Sequence, residues 1–150
     1  MIGQTEPTKI SDIKRDWHII DVKGKILGRT ATEIAKLLMG KSKPYFVRNL
    51  DCGDYVVVIN AKEVFVTGKK EEKKTYARHS GYPGGFRSET LREVRAQDPT
   101  RVITHAVKGM LPQNRLRDTM LRRLFVFAGA EHTYQDKLKI KSSKLKIKVL

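Results

Sequence analysis

Between Lys69 and Arg87 the sequence interleaves cations, flat rings and glycines: Lys69, Lys70, Lys73, Lys74, Tyr76, Arg78, His79, Gly81, Tyr82, Gly84, Gly85, Phe86 and Arg87. Ammonium and guanidinium groups pair with phosphate oxygens, and aromatic faces stack on unpaired bases. Glycine lets the backbone approach such a partner closely. The bland alternative is a solvated loop, and composition alone does not choose between the two. Further basic clusters stand at Arg115 with Arg117 and at Arg122-Arg123, each a candidate phosphate contact.

Other chemistry has weaker support. The stretch Gly24-Lys25-Ile26-Leu27-Gly28-Arg29-Thr30 has the outline of a phosphate-binding loop opening a helix. Three residues rather than four separate its glycines, and Arg follows instead of Lys, so it is not a nucleoside triphosphate motif. The double-glycine dinucleotide fingerprint is missing as well. What remains is Arg29 near a helix N-terminus, a place where a phosphate can be met. His18, His79, His105 and His132 are far apart in sequence, and none forms a two-histidine helical motif with an acid. Asp51, Asp54 and His79 could converge on a substrate, but carboxylates beside glycine more often bond their own backbone in turns. Cys52 is the single cysteine, which excludes an internal disulfide and a Cys-based zinc site. No catalytic residue, metal or cofactor is expected.

The charge balance points the same way as the 69–87 stretch. The chain has 31 Lys plus Arg against 16 Asp plus Glu, a net charge of +15. Solubility asks for only about 2–8 charges of either sign in a small domain, so a polyanionic partner is implied. The excess is spread over the body and concentrated at the end, where Lys137, Lys139, Lys141, Lys144, Lys146 and Lys148 stand with no acid among them. A hydrophobic fraction of 39% and the run Tyr55-Val56-Val57-Val58-Ile59 exclude a wholly disordered basic chain. That run is far short of the roughly 20 residues a membrane span requires. Lone-cysteine usage and no secretory apolar stretch after Met1 fit a reducing, intracellular compartment.

One hundred and fifty residues suit one domain. Residues 1–15 read as an N-terminal extension, 16–132 as the folded domain and 133–150 as a Lys-rich tail. Trp17 to Val22 is strand-like, and a helix is expected from near Gly28, with Thr30 and Glu33 as a capping box. Leu27, Ala31, Ile34 and Leu38 repeat at helical spacing, and Gly40 fits the left-handed position after the last turn. Tyr55–Ile59 reads as a central strand covered on both faces, which makes the first three elements a βαβ crossover with parallel strands. Val64 to Thr67 suggests a hairpin or short edge strand, and 69–87 a long loop without regular structure. A helix from about Ser88, a second opened by Asp98-Pro99 with Ile103, Ala106, Val107 and Met110 facing the core, and a third carrying Leu116, Met120 and Leu121 follow. Leu124 to Phe127 reads as the last strand.

Eight passages, in order along the chain, resemble one family: Trp17–Val22, Leu27-Gly28-Arg29, Gly40–Lys43, Gly53–Ala61, Thr67–Lys70, His79–Gly85, Ala106-Val107-Lys108-Gly109-Met110-Leu111-Pro112 and Gly129–His132. Together they are similar to large-subunit ribosomal protein L-thirteen of bacterial or organellar type, from about residue 14 to 132. The resemblance implies a three-layer α/β/α domain around a small parallel, or mixed, sheet with basic extensions. It also implies no catalysis, and a structural role on large-subunit rRNA beside neighbouring ribosomal proteins, during and after assembly, with the protein a monomer in the cytoplasm or an organelle. By motif position, Lys41, Lys43, Lys69, Lys70, His79, Gly81, Gly84, Gly85, Lys108 and Arg115 should face rRNA, with Arg29 beside them. The chain departs from the family pattern at Leu116-Arg117-Asp118 and again after His132. An enzyme acting on a phosphorylated small molecule and an RNA-binding regulator working off the ribosome stay open as alternatives.

Overall fold

In the computed structural model, which describes residues 7–135 and 138, twelve short elements follow one another. They begin with a 3₁₀ turn at Ile10–Asp12, β1 (Trp17–Asp21), α1 (Leu27–Met39), β2 (Tyr55–Ile59) and a 3₁₀ turn at Ala61–Glu63. Then come α2 (Lys70–Lys73), β3 (Thr75–His79), β4 (Phe86–Thr90), α3 (Leu91–Gln97), α4 (Pro99–Met110), α5 (Leu116–Leu121) and β5 (Leu124–Val126).

The main sheet is parallel, in the order β1-β2-β5, with Trp17 opposite Tyr55 and Val57 opposite Phe125. The central place of β2 explains its unbroken apolar run, because Val56, Val57 and Val58 are all at 0% exposure. Val56 and Val58 face a core built with Ile34, Leu38, Ile103 and Val107 of the helices. The other face is aromatic: Trp17 stacks on Tyr55 at 4.4 Å between ring centroids, and Phe125 and Tyr134 extend the layer. The chain beyond Gly129 therefore packs on the sheet at least as far as Tyr134. At the other end, Thr8 donates to the Tyr45 carbonyl and the Tyr45 hydroxyl donates to the Lys14 carbonyl, so the described part of the N-terminal extension is docked.

Helix α1 ends as its sequence indicates. Gly40 takes φ +76°, its N–H reaches the Leu37 carbonyl and the Lys41 N–H reaches that of Lys36. A Cβ at Gly40 would lie 2.5 Å from the Cys52 carbonyl oxygen, so glycine is required there for space as well as for φ. The start differs from expectation. The helix begins at Leu27, whose N–H is taken by the Phe65 carbonyl, and Thr30 is already inside it, its hydroxyl donating to Ile26 and Leu27 carbonyls. The capping box belongs instead to Thr90 and Glu93 at the head of α3, where each side chain accepts from the other's N–H. Ser88 cannot cap that helix because residues 86–90 are committed to the β3 ladder. Asp98 caps α4 as expected, accepting from the Thr100 N–H.

Three more expectations are corrected. Val64 to Thr67 forms no strand beyond a single parallel bridge between Ile26 and Phe65, since the preceding 3₁₀ turn lays it along the 22–27 turn. The 69–87 stretch is α2 followed by most of an antiparallel ribbon, with Thr75 opposite Thr90 and His79 opposite Phe86. Met110 ends the α4 stripe at 41% exposure, while Val102 joins Ile103, Ala106 and Val107 on the core face.

Candidate nucleic-acid interface

The β3–β4 ribbon brings exposed cations and exposed rings together. In an antiparallel ladder, directly opposite residues share a face. Arg78 is opposite Arg87 on one face, and His79 is opposite Phe86 on the other. Like charges held opposite one another disfavour the ribbon by themselves, which an anion between them would reverse. Glu89 makes long ion pairs with both Arg78, at 3.8 Å, and Arg101, at 3.9 Å, so one carboxylate is shared between two guanidiniums.

At the tip, Ser80 N–H donates to the Gly85 carbonyl and Gly85 N–H to that of Tyr82, closing the turn. Gly81 and Gly84 adopt φ +88° and +72°, the left-handed region that glycine enters freely. The Gly81 N–H donates to His79 Nδ1 at 2.9 Å. A backbone N–H can only donate, so the neutral imidazole carries its proton on Nε2 and is a donor there. Arg78, His79, Ser80, Gly84, Gly85 and Arg87 line an open cleft of about 370 Å³ with no carboxylate in its wall among the described residues. In the same turn Tyr82 is 75% exposed, and Phe86, on the ribbon face opposite the two arginines, is 63% exposed.

The positive surface continues onto α4. Arg101, His105 and Lys108 recur at helical spacing on one face of that helix. Partial burial, then the charges of Lys74, Lys108 and Arg101, hold the His105 imidazole below the usual histidine range. His105 is met edge-on by Tyr76 at 4.9 Å, and Lys74 lies 5.3 Å from the centre of that phenol ring. Burial in turn pushes the Tyr76 hydroxyl upward. Tyr76 is thus a packed ring, not a free stacking platform, because its face of the ribbon lies against α4. Lys69, Lys70 and Lys73 are exposed on and before α2.

Two expected contacts point inward. Arg123 is 4% exposed and grips the Asp51 carboxylate with both terminal nitrogens, while Nη2 also donates to the Leu38 carbonyl and Nε to that of Asp54. Lys43 Nζ donates to the Lys14 and Cys52 carbonyls and to the Asp54 carboxylate. Asp54, 3% exposed, also accepts from the Asp16 N–H and bonds His18 Nε2. Asp51 and Asp54 therefore bind the end of α1, the N-terminal segment and β5 together, and they do not meet His79. Both cations leave the candidate interface, since the carboxylates fixed beside them use their charge. Arg117 is half-buried, with its Nε shielded from solvent.

Arg29, Lys41, Arg115 and Arg122 are exposed, but apart from the ribbon. Arg29 is in the first turn of α1 and Lys41 just past its end, roughly 20 Å apart by helical rise, so they cannot serve one small site. Lys137, Lys139, Lys141, Lys144, Lys146 and Lys148 lie outside the described residues. Arg101 is not among the expected contacts, although its spacing of four and seven from His105 and Lys108 marks it in the sequence. Among the described residues no group of His, Cys, Asp and Glu is arranged to hold a metal ion, and no helix is long and apolar enough to cross a membrane.

Comparison with known proteins bears on the whole of this body. The family model described as Ribosomal protein L13 matches residues 15–133. A protein named large ribosomal subunit protein uL13 from Dehalococcoides mccartyi is 58% identical over 130 residues, 87% of this chain and 91% of the relative. Proteins of the same name from Dictyoglomus thermophilum and Thermotoga petrophila are 52% and 49% identical, covering 88% and 89% of this chain and 93% and 90% of theirs. With its parallel sheet, its inward ion pairs and its basic ribbon all inside the matched span, the chain belongs to the ribosomal protein L13 family.

Proposed function

We propose that the protein binds large-subunit rRNA through the β3–β4 ribbon and the adjoining face of α4, and supports folding and assembly of that RNA. Family membership makes it a structural ribosomal protein, not an enzyme. The observation that carries the RNA reading is the cleft lined by Arg78, His79 and Arg87 with no carboxylate in its wall, joined through the shared Glu89 to Arg101 and from there to Lys74 and Lys108 around His105. Phosphates meeting this surface displace counterions, and the shape of the turn supplies orientation that diffuse charge lacks.

In this reading Lys69, Lys70, Lys73, Lys74, Arg78, His79, Arg87 and Lys108 form the main contact, with Gly81, Gly84 and Gly85 keeping the turn close to the RNA. Arg29, Lys41, Arg115 and Arg122 meet separate phosphates, as suits a protein embedded in a large folded RNA among neighbouring ribosomal proteins. The lysines of 137–150 extend the contact along the RNA, on the large subunit.

The test is binding of the purified protein to large-subunit rRNA and to an unrelated RNA of equal length across a salt series. Both complexes weaken as salt rises. A cognate advantage that survives when salt has removed the unrelated complex supports the proposal. Coincident curves overturn it. Deletion of 137–150 is expected to lower rRNA affinity at moderate salt.

A further inference from the structure

We infer that the tip of the β3–β4 hairpin is a site for unpaired RNA: a phosphate enters the cleft between Arg78, His79 and Arg87, and an adjoining base stacks on Phe86 or Tyr82. This rests on the RNA reading above and narrows it to the kind of RNA the tip accepts. Three observations converge.

The first is the Arg78–Arg87 cross-strand pair, two arginines in register on one face with no carboxylate among the residues that line the cleft, Glu89 being shared between Arg78 and Arg101 outside it. The second is the imidazole, whose Nδ1 is occupied by the Gly81 N–H, leaving Nε2–H as a donor toward an anion. The third is the pair of exposed rings at the same end of the hairpin, Tyr82 in the turn at 75% and Phe86 next to the turn at 63%, the latter on the face opposite the two arginines. A duplex would satisfy the cations but not the rings. Its base faces are covered by stacking, and the A-form major groove is too deep and narrow for side chains to read. An unpaired nucleotide offers a phosphate and a free base face together, and stacking on rings tolerates any base. The turn is closed by its own backbone hydrogen bonds, so little ordering is needed on binding.

The full-length protein would be titrated by fluorescence anisotropy against a labelled oligouridylate and a blunt RNA duplex of equal length. Replacing both rings, Tyr82→Ala with Phe86→Ala, is expected to weaken oligouridylate binding by about fivefold to a hundredfold. Duplex affinity, the salt slope and the melting temperature should not move. Tyr82→Leu with Phe86→Leu keeps apolar bulk without a π face and should reproduce the loss, which separates stacking from any change in the turn. Arg78→Gln with Arg87→Gln should instead flatten the salt dependence for the single strand. Equal losses on both RNAs, or none on the single strand, would overturn the inference. Failure to select large-subunit rRNA while the ring-dependent single-strand preference persists would sink only the proposed function. Selection of rRNA with unchanged single-strand binding by the ring variants would sink only the hairpin site.

Discussion

Replacing Arg123 by Met separates charges that hold the protein together from charges that hold RNA. The guanidinium is 4% exposed, the Asp51 side chain 10%, and both terminal nitrogens of Arg123 engage that carboxylate. Removing one partner of a buried pair costs about 3–5 kcal/mol, because the other charge is left desolvated and unmatched. Arg15 lies 3.6 Å from the same carboxylate and supplies partial compensation, which places the loss near the lower end, about 3 kcal/mol. For a domain of this size that is a fall in melting temperature of roughly 6–12 °C. Urea unfolding measures the free energy, and RNA binding below the new midpoint measures the salt slope. Arg123→Met should leave the slope unchanged. Arg87→Gln, an exposed residue facing another arginine, should reduce the slope by about 0.7 and leave the melting temperature in place. Adding Asp51→Leu to Arg123→Met should recover part of the stability, because the orphaned charge is gone. The reasoning fails if Arg123→Met unfolds at the wild-type midpoint while losing a unit of salt slope.

Other substitutions test the supports of the same architecture. Gly53→Ala would set a Cβ 1.7 Å from the Leu38 carbonyl oxygen, a backbone atom in α1, so the 51–54 loop must separate from the helix. A loss of about 3 kcal/mol in urea unfolding is expected, at the upper end of ordinary overpacking. Gly28→Ala meets nothing within 4 Å inside the first turn of α1 and should stabilise by about 0.5–1 kcal/mol, read as a higher melting temperature. Thr90→Ala removes the acceptor of the Glu93 N–H and should cost about 1 kcal/mol by the same measurement. His105, held low by burial and by Lys74, Lys108 and Arg101, is neutral in the folded protein at pH 7. Its contribution to stability is present above about pH 6.5 and is lost as pH falls through the lower folded value, where the unfolded chain binds the extra proton first. His105→Gln should flatten that acid limb of the stability curve, and RNA binding should raise the His105 titration point seen by NMR.

Much of the scaffold was legible because it rests on local rules or on strong burial. The five apolar residues of β2 announced a strand covered on both faces, Gly40 a left-handed helix end, and Asp98-Pro99 a helix start. The ribbon was missed for a physical reason. Hydrophobic period reports which side of an element is buried, and Arg78, His79, Phe86, Arg87 and Ser88 are all exposed, so there was no alternation to read. Thr30 and Glu33 have the spacing of a capping box, but the Thr30 N–H bonds the Ile26 carbonyl and the Leu27 N–H that of Phe65, 38 positions away, so the helix starts earlier.

The sequence by itself determined the charge of +15, the parallel βαβ start, the basic and aromatic content of 69–87 and the order of the family motifs. Tertiary structure decided where each cation is used. Arg122 and Arg123 are adjacent and chemically identical, yet one is exposed and the other is clamped on Asp51, because its direction relative to the core is set by the turn between α5 and β5. Lys41 and Lys43 part in the same way at the end of α1. A charge count is a sum over residues, whereas a phosphate responds to those left facing solvent after the carboxylates buried by folding have taken their partners.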